Sequence, residues 1–330
     1  MTGVTITGWG TALPEQVVTN EDITTLFDTS DEWIFERSGI RSRRTATGPF
    51  VKPPPPVDPP ANGLGTTGTL AAEAGRKALE MAGVAPEQVR LVIVCTTTPD
   101  QLIPANSASV AAALGIRSGA MDLNAACAGF TYGLVTASGL VAAGAERVLL
   151  IGAETLSRAT NWNDRTNAFL FGDGAGAVLV EAVPGEGSLL AWDLGVDGNL
   201  VPLLYAQHGS GMVMRGQEVF RRAVLATVDS ATASLERAKL TIDDIALFVP
   251  HQANIRIIEA AASRLKLPPE RIASVIQRTG NTSSASIPLA LIDAIENGRV
   301  HDGDHLLLAG FGAGMTWASA VWRWQDPPGR

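Results

Sequence analysis

Three side chains in this 330-residue sequence have the types and surroundings for acyl chemistry: Cys127, His251 and Asn281. Cys127 lies in Asn124-Ala-Ala-Cys-Ala-Gly-Phe130, where the apolar run Met121-Asp-Leu123 gives way to a long helix of small residues. That order predicts a sharp strand-to-helix turn, a nucleophile elbow, where first-turn N–H groups and the helix dipole stabilise a thiolate. A cysteine so placed can attack a thioester. His251 follows Ala246-Leu-Phe-Val-Pro250, which sets an imidazole at the carboxyl end of a predicted strand, where sites collect in α/β proteins. Asn281 sits in the turn-rich Thr279-Gly-Asn-Thr-Ser-Ser-Ala-Ser-Ile-Pro288, where a helix cap is the simple expectation. A neutral imidazole N–H and an Asn amide can also both donate to one oxygen and stabilise an enolate, so beside a reactive cysteine the pair points to decarboxylation.

The remaining candidates read as structure. Cys95 ends the apolar run from Leu91 and is expected to pack as a small hydrophobe. His208, His301 and His305 have no such company and are expected to be structural or on the surface. Two glycine-rich elements, Phe171-Gly-Asp-Gly-Ala-Gly-Ala177 and Gly310-Phe-Gly-Ala-Gly-Met-Thr-Trp317, lack the strand, fingerprint and helix spacing of a dinucleotide or phosphate site. They read as tight turns with close backbone approach, and the N–H groups near Gly312 and Ala313 suit an oxyanion hole. Two cysteines set far apart suggest neither a disulfide framework nor a metal cluster.

These residues must be held by alternating layers. Apolar runs Leu91–Val94, Arg147–Ile151, Ala246–Val249 and His305–Leu308 alternate with alanine-rich helical patterns, the order of an α/β fold. The helix that starts at Cys127 carries small or apolar residues on nearly every side, which predicts a place in the middle of the molecule. A repeat is visible: Pro86–Val94 resembles Ile242–Val249, and Arg147–Gly152 matches His305–Gly310. One half carries Cys127 and the other His251 and Asn281, so the site is expected where the halves meet. We read residues 1–183 and 184–330 as the two halves, with a proline-rich insertion at about 46–66 that runs as an exposed loop. Residues 327–330 read as a frayed tail.

Hydrophobic residues make up 46% of the chain, enough for a sizeable core. The net charge of −8 argues against a large nucleic-acid surface but leaves room for local basic patches. The first ten residues lack a basic leader with an apolar core and no stretch stays apolar long enough to span a bilayer, so the expected location is cytosolic.

Taken together, the Cys127, Phe171–Gly176, Pro250–Asn254, Gly280–Asn281 and Gly310–Trp317 motifs resemble those of ketoacyl synthase III, the 3-oxoacyl-[acyl-carrier-protein] synthase that initiates fatty-acid synthesis. The resemblance extends to Val18-Thr-Asn20, Asp28–Ile34 and Ser38–Arg41 and so covers nearly the whole chain. It implies a thiolase-like five-layer α-β-α-β-α sandwich of two pseudo-repeated halves, assembled as a homodimer. Cys127 would take an acyl group from acyl-CoA, and malonyl on acyl carrier protein would then lose carbon dioxide and attack it. His251 and Asn281 would hold the enolate, and the backbone N–H groups of Cys127 and Ala313 the tetrahedral oxyanion, with no metal or redox cofactor. Trp33 and Arg165 would sandwich the CoA adenine, with Arg37 near its phosphates and Asn254 facing the pantetheine. Phe171, Phe220 and Gly312 are expected against the substrate, and Ile103 would reach into the partner subunit's acyl pocket. Arg221, Arg222, Arg256 and Lys266 resemble the family's basic surface for the acidic carrier protein.

Two departures leave the pocket's specificity open: the proline-rich stretch is longer than is usual in the family, and the segment from Asn199 to Gly211 looks shorter. A thiolase is disfavoured because its second catalytic cysteine is missing from Gly310–Gly314. Two alternatives stand beside the synthase: a relative that primes a polyketide or transfers acyl groups in secondary metabolism, and a catalytically silent partner that binds carrier protein.

Overall fold

The computed structural model describes residues 2–50, 65–207 and 210–327. Most of the proline-rich stretch, His208 and residues 328–330 of the expected tail lie outside the described residues. Two large sheets dominate. The first orders its strands Thr2–Ala12, Asp173–Pro184, Arg147–Thr155, Leu91–Cys95 and Gly119–Leu123; its first two pairings are antiparallel and its last two parallel. The second orders Leu189–Val196, Thr316–Arg323, His305–Gly312 and Ile245–Pro250, with the same sequence of antiparallel, antiparallel and parallel pairings. The place of a fifth strand is marked by a bridge from Phe248 to Ile272. The repeat read from the sequence therefore pairs equivalent strands: Leu91–Cys95 with Ile245–Pro250, and Arg147–Thr155 with His305–Gly312.

Helices complete five layers. Thr67–Ala82 and Asn106–Leu114 cover the outer face of the first sheet through an alanine-rich stripe, and Gly216–Ala238 with Ile255–Leu265 cover the outer face of the second. Between the sheets run Gly129–Ala142 and Ser286–Glu296, whose apolar residues share one core with side chains from both sheets. A helix sandwiched between two sheets has no solvated face, which explains why Gly129–Ala142 is small or apolar nearly all round. At Gly133 a Cβ would come within 2.6 Å of the Cys95 Sγ, so the helix can approach the strand only with glycine there. Cys95 is fully buried in this core, as expected.

Some local expectations are corrected. The Cys127 helix begins at Gly129, so the cysteine belongs to the turn before it. Phe171–Ala177 is no tight turn, because Asp173–Pro184 is a long strand. The close approach behind that reading is real: a Cβ at Gly176 would lie 2.8 Å from the Pro288 Cβ, and at Gly174 2.8 Å from Leu13. Its glycines admit the middle helix layer to the sheet.

Candidate active site

The Cys127 turn gets its shape from the residue before the thiol. Ala126 has φ +49°, a left-handed conformation costly for a residue with a Cβ, and its N–H is held by the Asn124 side chain at 3.1 Å. The strain sits one residue ahead of the nucleophile that the elbow motif marks. Opposite it, Gly312 ends the strand His305–Gly312; a Cβ there would lie 2.5 Å from the Cys127 backbone N and 2.8 Å from the Ala126 Cβ. Only glycine lets the second half reach the nucleophile's amide. Thr316 ties the same contact by donating its hydroxyl to the Ala125 carbonyl at 2.9 Å.

Cys127 is half-buried, and its apolar surroundings push the thiol up to about 12. The Ser283 hydroxyl works against that rise, and the charge of Glu154 adds to it. Burial thus favours the thiol over the thiolate expected from the sequence.

His251 stands one residue past the strand Ile245–Pro250, and its own N–H extends the ladder to the Ala309 carbonyl at 2.8 Å. The ring is 2% exposed, and burial lowers its pKa from 6.5 to about 3, so it is a neutral imidazole at physiological pH. Nδ1 lies 2.6 Å from the Ser286 hydroxyl, and Phe311 meets the ring edge-on at 5.3 Å between centroids.

Asn281 is held from three sides. Its N–H donates to the Leu170 carbonyl at 2.8 Å, its carbonyl accepts from Gly172 at 2.9 Å, and its Oδ1 accepts from the Ser283 N–H at 2.9 Å. A backbone N–H can bond only the amide oxygen, so the side chain must present Nδ2, its donor, elsewhere. The expected helix cap is not formed: Thr282 and Ala285 precede the two helical segments that follow, and the Asn281 side chain instead closes a local turn onto Ser283, whose φ is +47°.

Cys127, His251 and Asn281 line one cavity of about 1130 Å³, together with Trp33, Arg37, Arg165, Phe171, Phe220, Arg221, Asn254, Arg256, Gly312 and Ala313. Arg37 lies over the Trp33 ring at 4.4 Å and Arg165 at 5.7 Å, so an adenine between Trp33 and Arg165 requires the exposed Arg165 to swing outward. Asn254 lines the cavity, but its polar atoms are engaged: Oδ1 caps the helix Ile255–Leu265 through Arg256 N–H, and Nδ2 donates to the Arg37 carbonyl at 2.9 Å. Ile103 does not line the cavity; it is 87% exposed beside Leu102 at 76%. Arg222 is exposed on the helix that carries Arg221. Lys266 is the C-cap of the helix Ile255–Leu265, whose first residues line the cavity, but it does not itself line it.

Three residues near the site escaped the sequence reading. Ser283 and Ser286 sit in the motif around Asn281, but hydroxyl contacts across 35 residues leave no spacing signal. Glu154 is fully buried at the end of an apolar strand, with no cation paired to it among the described residues. Its carboxylate takes hydrogen bonds from the Thr96, Thr97 and Thr98 hydroxyls, the Thr97 and Thr98 N–H groups, and the Ser283 and Ser284 hydroxyls of the other half. An acid inside an apolar strand run was the available signal.

Comparison with known proteins decides the lineage of this cavity. Residues 121–198 match the family model for 3-oxoacyl-[acyl-carrier-protein (ACP)] synthase III, and residues 235–324 the model for its C-terminal part. The chain is 44% identical over 323 residues to beta-ketoacyl-[acyl-carrier-protein] synthase III 1 of Bacillus anthracis, covering 97% of this chain and 99% of that one. The chain belongs to the 3-oxoacyl-[acyl-carrier-protein] synthase III family. It is a condensing acyltransferase of the class that initiates fatty-acid synthesis from acyl-CoA and malonyl-[acyl-carrier-protein]. The synthase III from Aquifex aeolicus superposes with a TM-score of 0.90 at 39% identity, covering 98% of this chain and all of that one. A priming beta-ketosynthase from the R1128 polyketide pathway gives 0.89 at 36%, covering 99% and 97%. The five layers are thus the thiolase fold. Among the described residues no cluster of His, Cys, Asp and Glu could hold a metal, and no helix is long and apolar enough to cross a membrane.

Proposed function

We propose that Cys127 accepts an acyl group from acyl-CoA as a thioester and that His251 and Asn281 stabilise the enolate formed when malonyl on acyl carrier protein loses carbon dioxide. The observation that carries this reading is the single cavity lined by all three, with the two polar side chains oriented by separate hydrogen bonds. The thiol loses its proton as the sulfur attacks the CoA thioester, and CoA leaves as the free thiol. Next the bond from the malonyl carbon to its carboxylate breaks, and the electron pair moves onto the thioester oxygen, where the two donors meet it. The enolate carbon attacks the acyl-enzyme carbonyl, the N–H groups of Cys127 and Ala313 hold the oxyanion, and the Cys127 sulfur departs as a thiolate that takes a proton from solvent. Every step balances without a metal or redox cofactor.

In this reading the CoA nucleotide lies by Trp33, Arg37 and Arg165, and the carrier protein docks over Arg221, Arg222 and Arg256. The units 1–183 and 184–330 work as one cytosolic enzyme, completed as a homodimer. The strand Gly119–Leu123 supports the dimer, because it is an edge strand with an open ladder, and a second copy would also cover Leu102 and Ile103. The similarity to a polyketide priming synthase keeps a primer role in secondary metabolism as the second reading. Intact-mass measurement with a panel of acyl-CoA primers tests both. One adduct is expected, absent in Cys127→Ser and discharged by malonyl carrier protein, and the preferred primer separates the two pathways. No adduct with any primer would end the proposal.

A further inference from the structure

We propose that Ser286 is a positioning residue for decarboxylation: its hydroxyl donates to Nδ1 of His251 and so fixes the neutral ring with its proton on Nε2. The inference rests on His251 serving as an enolate donor, and it names what makes the ring a donor.

The argument is one of counting protons. Ser286 Oγ lies 2.6 Å from Nδ1 and 3.2 Å from the backbone N of Gln252. A backbone N–H can only donate, so Oγ is the acceptor in the second contact. A hydroxyl has one proton to give, and among the described residues Nδ1 is the only acceptor within its reach. If Nδ1 carried a hydrogen, Oγ would accept twice and its own proton would have no partner. Ser286 is fully buried, so that orphaned proton would find neither a protein nor a solvent partner, which selects one tautomer. A proton arriving at Nδ1 to make an imidazolium would create the same orphan and add a buried charge, in keeping with a pKa held near 3.

The Gln252 N–H is itself held in place. The Gln252 side chain donates to the Pro250 carbonyl at 2.7 Å and to the Ala273 carbonyl at 3.3 Å, and accepts from the Val275 and Ile276 N–H groups at 3.0 and 3.3 Å. Ser286 opens the helix Ser286–Glu296, so the Gln252–Ser286 contact is anchored by a helix at one end and by the Gln252 side-chain hydrogen bonds at the other. Phe311 against the ring restricts its rotation. The ring is thereby left with Nε2–H as its free donor, the form that an enolate oxygen requires and that a Nδ1–H tautomer would not supply.

The test uses full-length protein labelled with 15N-histidine. Long-range 1H–15N spectra report the protonated nitrogen of each ring, and loss of signals in His251→Asn identifies His251 among the four histidines. A bare Nδ1 and a protonated Nε2 are expected in the wild type. Ser286→Ala should mix the tautomers and slow carbon dioxide release from malonyl carrier protein on the order of 10-fold, less than the 10²–10³-fold of deleting an oxyanion donor outright. Acyl loading of Cys127 should fall far less, and Ser286→Thr, which keeps the hydroxyl, should recover the lost rate. A Nδ1-protonated wild-type ring overturns the proposal even if no Ser286 variant folds, and so does undiminished carbon dioxide release from a folded Ser286→Ala protein. A wild type that neither loads nor decarboxylates would instead defeat the functional reading, while the tautomer measurement would stand.

Discussion

The two halves of the molecule furnish the cavity in opposite ways. The first half brings Cys127 on a turn whose backbone is strained at Ala126, and the Ser283 hydroxyl of the other half acts on its thiol. The second half brings His251 and Asn281 already tied at ring, amide and backbone. A nucleophile that passes through thiol, tetrahedral and thioester states needs room, whereas donors to a developing charge work best when nothing must reorganise. Side-chain tethering is thus concentrated in the half proposed to stabilise charge, whereas the Cys127 turn is held through its backbone.

The largest effect should come from the cost of burying a donor. His251 binds a proton below pH 6.5 when unfolded but only near pH 3 when folded. Its depressed pKa means stability is full above pH 6.5 and is lost as pH falls toward 3, by about 5 kcal/mol across that window. Thermal melts between pH 7 and pH 4 should show a shallower acid limb for His251→Asn than for the wild type; parallel limbs would mean that the ring is not held neutral. Next, Asn281→Asp should load an acyl group but lose carbon dioxide release on the order of 10²–10³-fold, since a carboxylate repels the enolate. Equal loss of loading would show that the halves cannot be separated.

A smaller effect probes the nucleophile's side. Gly312→Ala would press a methyl group against the Cys127 amide, and about 1–3 kcal/mol of destabilisation is expected, with slower acyl loading. An unchanged melting temperature and loading rate would mean that the turn yields freely. Smallest is the effect at the rim: Arg256→Ala should raise the KM for malonyl carrier protein about threefold at low salt and less at high salt, leaving acyl loading untouched. A salt-independent change would remove Arg256 from the docking surface.

The sequence made some of this legible and hid the rest for physical reasons. Strand-end positions of Cys127 and His251 follow from apolar runs broken by small and polar residues, and the repeat follows because equivalent strands carry equivalent patterns. Asn281 was expected as a cap, but it closes a turn onto the left-handed Ser283 instead, because the helices that follow start at Ser283 and Ser286. The glycines at 174 and 176 misled, because the same residue serves a turn and a tight helix-to-strand contact. Ser286 and Glu154 stayed hidden because their hydrogen-bond partners lie far away in the chain.

Gly312 has a consequence for how such an enzyme can vary. Where two polypeptide halves touch so closely that one methyl group does not fit, the reacting end of the cavity admits almost no change of shape. A change in what the cavity accepts would meet less resistance at lining side chains outside that contact, such as Val201, Tyr205 and Met212. Crowding holds the reacting end in place and leaves the rest of the lining freer to change.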